Sequence, residues 1–313
     1  MSVRGWFLCV LLLPPPVLSA THTENDKLRE WKISASVVLA ARGDANSLAT
    51  AAMLSPAGGP ELAWRASVLA PDSVPIAWVR LRLCAITPGC DFRDAATAMR
   101  WVAADNPAAW LPTLNQAYKE GDTVEIERVL FDMSQGKHFD VYAMPVAVLM
   151  FDALSAAEKS LPKTFAASED SRLSLVLGVS AAKLVPSFAS LEEICRDSTP
   201  GTERREACVK IAHKLQRSDT VHGELAGIII EKHAVAPESK EALALTERRR
   251  VLESLESLAA KFDTPLLPWS KSAHARWHLD QMRALPREQD VLLAILREQG
   301  TPSMPVSGAP SPQ

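Results

Sequence analysis

The sequence predicts an all-α protein built of stacked antiparallel helical hairpins. Three observations carry this. Apolar residues recur at helical spacing almost throughout, alternation with period two is nearly absent, and the periodic segments are separated by short Pro, Gly and Asp turns. With 47% apolar residues in 313, the chain can bury a real core.

The spacing places short helices over Leu39–Leu54, Glu61–Leu69, Ser73–Cys84 and Phe92–Ala103, separated by turns such as Pro56-Ala57-Gly58-Gly59-Pro60. The clearest pattern runs from Asp105 to Gly136. Asn106 is an N-cap and Pro107 follows at the first helical position, where its missing N–H costs nothing. Trp110, Leu111, Leu114, Ala117 and Tyr118 then share one face until Gly121 ends the helix. Asp122 caps a second helix with Ile126, Val129, Leu130 and Met133 in line, stopped at Gly136. A two-residue turn joins them into an αα-hairpin, and Pro112, inside the first helix, is expected to kink it.

The second half continues with helices over Ser171–Leu184, Glu203–Arg217, Asp219–Lys232, Pro237–Phe262, Ser272–Ala284 and Arg287–Glu298. The character shifts between Phe151 and Asp170, where Lys159 to Ser168 lacks periodicity and contains Pro162, the best candidate for a boundary or looser joint. The expected organisation is a signal peptide over 1–20, an N-terminal hairpin region over 21–155, a continuous C-terminal helical region over 156–299 and a disordered tail over 300–313.

Asn106-Pro107-Ala108-Ala109-Trp110, Leu114, Ala117-Tyr118 and Gly121-Asp122 resemble the first helix and turn of a tetratricopeptide repeat. The likeness covers about residues 105–136. Ile126 stands where that repeat places a small residue, and its closing proline is missing. The resemblance implies divergent helical-hairpin repeats; helices of the same type on both sides of the candidate joint predict one continuous superhelix, whose stacked hairpins would offer a concave or grooved surface to another protein.

The N-terminus has the layout of a secretory signal: Arg4, an apolar run from Trp6 to Leu13, and Val17-Leu18-Ser19-Ala20 supplying small residues for cleavage. The run is shorter than the roughly 20 residues a span needs, so the expected product is periplasmic or secreted, without stable membrane insertion. Cleavage removes one basic residue and no acidic one, leaving 33 basic against 37 acidic, net −4. That balance gives no general attraction to nucleic acid. Four cysteines follow, at spacings that suit disulfides in an oxidising compartment better than zinc. Each pair straddles a helix break, which favours the local connectivity Cys84–Cys90 and Cys195–Cys208.

No constellation reaches a catalytic or cofactor motif. His274 and His278 lie four apart on one helix, but H-A-R-W-H lacks a metalloprotease glutamate and no third ligand is in view, so neither metal nor cofactor is expected. Gly178-Val179-Ser180 has no second glycine, and Glu192 and Glu193 point to different sides of a helix. Arg248-Arg249-Arg250 reads as local ion pairs of Arg249 and Arg250 with Glu253, and Lys210, Lys214 and Arg217 as a solvated stripe. The functional reading is a non-enzymatic protein-interaction or scaffold role in the cell envelope. The competing reading is a helical hydrolase of cell-wall material whose residues meet only in the fold.

Overall fold

The computed structural model describes residues 19–163, 168–262, 271–298 and 300. The expected signal region up to residue 18 and the tail from 301 lie outside the described residues, as do 164–167 within the candidate joint. Among the described residues all regular structure is helical: α1 (Ser19–Arg42), α2 (Ala45–Leu54), α3 (Gly59–Leu69), α4 (Val74–Ile86), α5 (Phe92–Val102), α6 (Leu111–Glu120), α7 (Thr123–Gln135), α8 (Ala143–Ala156), α9 (Glu169–Leu184), α10 (Ala189–Arg196), α11 (Glu203–Leu215), α12 (Val221–Ala234), α13 (Lys240–Phe262), α14 (Lys271–Ala284) and α15 (Glu288–Glu298).

Two local expectations change. The segment Leu39–Leu54 is not one helix, because Gly43 adopts a left-handed conformation (φ 76°) and Asp44 caps a new start by accepting the Ser47 N–H. Nor does Pro112 kink a helix interior. A 3-10 turn over Pro107–Trp110 precedes α6, so Pro112 falls in the first turn of α6, where no amide is needed. Pro145 is accommodated the same way at the start of α8. The hairpin turn is as the sequence predicts: Gly121 is left-handed (φ 69°) and the Asp122 carboxylate accepts the Glu125 N–H.

Neighbouring helices pack pairwise along α1–α5, in α6–α7 and in α11–α12, as hairpins should. Packing also reaches far beyond sequence neighbours. Helix α8 lies against α2, α4, α9 and α14, while α7 lies on α11 and α13 on α15. The reason is burial: Val146, Ala147, Met150 and Leu154 leave α8 no more than 1% exposed on its inner face, so it needs cover from several sides. Helices α8 and α9, on either side of the candidate joint, pack on one another.

In the α11–α12 pair a side chain at Gly227 would meet backbone atoms, Ala212 O and Gln216 N, at 2.7 Å. Glycine here lets the two helices approach closely, and Ala226, Ile228 and Ile230 are buried around it. No single helix among the described residues is long and apolar enough to cross a membrane. Helices α9 and α10 together reach that length only across a 41° bend, and Val176 and Leu184 of α9, Leu191 of α10 and Phe188 between them are in the core.

Candidate functional site

Both local cysteine pairs lie at disulfide distance, with Cα atoms 5.2 Å apart in Cys84–Cys90 and 5.6 Å apart in Cys195–Cys208. The first closes the turn between α4 and α5. The second clamps the segment joining α10 to α11, and this segment forms one wall of a groove of about 910 Å3.

The opposite wall is α7, where Leu130 and Phe131 face the groove. Leu130 is buried, whereas Phe131 is 62% exposed. The clamped wall is stiff for local reasons. Ser198 Oγ donates to Cys195 O at 2.6 Å, Thr202 Oγ donates to Thr199 O at 2.7 Å and caps α11, and Gly201 (φ 79°) turns the chain. Arg204 bridges the walls to Glu127, its Nε donating to Oε1 at 2.6 Å. Lys214 ties the far end, donating to Ser134 O at 2.8 Å. A groove with prebuilt walls binds without the entropy cost of ordering them.

Buried ionisable groups converge elsewhere, around the turn Ser218–Thr220. The Asp219 carboxylate accepts the Val141 N–H at 2.8 Å and the Tyr142 N–H at 2.7 Å, at the start of α8. Its backbone carbonyl accepts the Glu288 N–H at 2.9 Å. Glu288 in turn accepts the Val221 N–H at 2.8 Å, satisfying a first-turn donor of α12. Burial, and then the neighbouring Asp140 carboxylate, push the Asp219 carboxyl up to about 7. Burial also raises Glu288.

One turn along α12, Glu224 is 3% exposed. It accepts from Arg248 Nε and Arg287 Nη2 at 2.7 Å and from Gln289 Nε2 at 2.6 Å. The oxygens of Asp219 and Glu224 are thus occupied by protein donors in the interior, which suits tying four helices together rather than meeting a substrate.

The structure therefore reassigns the arginine run. Arg249 pairs with Glu253 at 2.7 Å as expected, but Arg250 pairs with Glu247, at 2.6 Å, and not with Glu253. Arg248 turns inward to Glu224 and Gln216. Lys214 likewise leaves the solvated stripe, because its ammonium is held by backbone carbonyls. Of the histidine pair, His278 is 5% exposed on α14, and the His274 side chain lies outside the described residues. Among the described residues no three His, Cys, Asp or Glu side chains are grouped to hold a metal ion. Ser180 is buried, its hydroxyl 3.8 Å from Met150 S.

Sequence reasoning missed Phe131. The available signal was an aromatic residue lying off the Ile126, Val129, Leu130, Met133 stripe of its own helix.

No protein-family model, curated protein or solved structure matches this chain.

Proposed function

We propose that this is an exported, non-enzymatic interaction protein, and that the groove between α7 and the Cys195–Cys208 segment receives a protein partner in the cell envelope. The observation carrying the reading is a prebuilt groove with an exposed aromatic, Phe131, on one wall and a disulfide-clamped loop as the other. An aromatic anchor beside a rigid polar rim is the usual composition of a protein-binding surface. Two disulfides suit an oxidising compartment. The divergent hairpin-repeat relationship belongs to the same proposal, supported by the Gly121-Asp122 turn and the pairwise packing of α1–α5.

The test is photo-crosslinking in the native envelope, with the crosslinker placed at Phe131 and, as a control, at Trp64, which is exposed on α3. The proposal expects one discrete adduct from Phe131, lost in Arg204→Glu, and none from Trp64. Identical adduct patterns from both positions would refute it.

A further inference from the structure

A second groove, about 390 Å3, lies between α1, the C-terminal end of α2 and α9. Its volume falls in the roughly 300 to 1,000 Å3 range of small-ligand pockets. Its chemistry differs from that of the other grooves described. Leu28, Leu54, Leu175 and Val179 give it an apolar lining, while its charged lining residues among those described are cations: Arg29, Lys32 and Lys183. In the α7 groove Arg204 is neutralised by Glu127, and in the smaller groove beside Trp110 the Arg128 guanidinium is neutralised by Glu125 and Asp132. Among the described residues no carboxylate lines this one.

Arg29 and Lys32 stand three apart on α1 and so share a face. Neither forms an ion pair with the described residues. The Lys183 ammonium donates to Met53 O at 2.6 Å and to Ser55 O at 3.2 Å, closing the end of α2. An ammonium has three N–H donors, so one remains. Burial, and then the charge of Lys32, lower the Lys183 pKa, and both ammonium groups line this groove.

Gly178 supplies an independent clue. Glycine inside a helix costs stability relative to alanine, and at Gly227 close backbone packing explains it. At Gly178, in the middle of α9 and lining this groove, a side chain would meet nothing within 4 Å. Packing does not require glycine there; its effect is to keep the groove open.

We propose that this groove binds a free single-chain anionic amphiphile, its acid headgroup held by Arg29, Lys32 and Lys183 and its chain laid along Leu54, Leu175 and Val179 past Gly178. The charge of the rim selects an acid over a cation, and the apolar lining selects a chain over a small inorganic anion.

The test titrates the purified protein calorimetrically with dodecanoate below its micelle concentration, with dodecyltrimethylammonium, and with vesicles of anionic phospholipid. The expected result is one saturable site for dodecanoate, weakened about tenfold or more in the double variant Arg29→Gln/Lys32→Gln, as losing charge-assisted contacts should do. Gly178→Leu should weaken it too, by filling the channel, while circular dichroism and melting show both variants folded. If Gly178→Leu does not fold, the double variant decides alone, since it alters side chains on the rim. Equal binding of dodecyltrimethylammonium, dodecanoate binding unaffected by the double variant, or binding to vesicles with none to free dodecanoate would each overturn the proposal.

Discussion

The buried Asp219 carboxyl should write itself into the pH dependence of stability. Its pKa rises from an ordinary 3.8 to about 7 in the folded protein, because burial and the nearby Asp140 carboxylate penalise its charge more than the amides of Val141 and Tyr142 reward it. Between these values the folded chain holds a proton that the unfolded chain has released. Stability attributable to this group is therefore fully present below about pH 4, falls as pH rises, and is flat again above about pH 7. At about 1.4 kcal/mol per unit over roughly 3 units, the ceiling is about 4 kcal/mol. Asp140, also raised by burial, titrates with it, so the slope belongs to the pair. Asp219→Asn cannot ionise, although its amide group turns a donor toward one of the two backbone donors and lowers stability at every pH. The assay is urea unfolding of both proteins at half-unit steps from pH 4 to 8. Their stability difference should shrink as pH rises, the native protein losing its advantage. A difference that is constant, or that widens with pH, would show that the two amides keep the carboxylate ionised throughout and would refute the reasoning.

The adjacent arginines should behave differently. Arg248→Ala leaves Glu224 with Arg287 and Gln289 only, so about 2 kcal/mol should be lost in urea midpoint at constant m, less than the roughly 3 to 5 of a buried charge stripped of its only partner. Arg249→Ala, an exposed i,i+4 pair, should cost under about 0.5 kcal/mol. The two helical glycines should split in sign: by calorimetry Gly227→Ala destabilises by about 1 to 3 kcal/mol through its contact with the α11 backbone, while Gly178→Ala stabilises by about 0.5 to 1. Non-reducing peptide mapping should recover Cys84–Cys90 and Cys195–Cys208, and removing the second by Cys195→Ser/Cys208→Ser should cost about 3 kcal/mol for a loop of about 14 residues without loss of helicity in circular dichroism.

What the sequence disclosed was governed by range. The α6–α7 hairpin was legible because Gly121, Asp122 and the apolar stripe act within a few residues of one another. The break at Gly43 carried the same Gly-Asp signal as Gly121-Asp122, and a single stripe read from Leu39 to Leu54 passed over it. Pro112 misled because a 3-10 turn cannot be told from an α-turn by periodicity. Arg248, Arg249 and Arg250 look alike as a run, and only the arrival of Glu224, 24 residues upstream, separates the first from the others. The α7 groove and the cationic groove of α1, α2 and α9 were illegible for the same reason, each being made of segments that meet only in the fold.

The turn at Ser218–Thr220 also sets a timetable. A chain emerging from the ribosome amino end first offers Asp140 and the start of α8 early, then Asp219 some 80 residues later, and Glu288 almost at the end. Until Arg287, Glu288 and Gln289 arrive, Glu224 lacks two of its three donors and the first amide of α12 lacks its acceptor. Completion of the centre therefore waits for α15, the last helix among the described residues. A chain ending between residues 249 and 286 would leave Glu224 with Arg248 alone of its three donors and the Val221 amide without the Glu288 carboxylate.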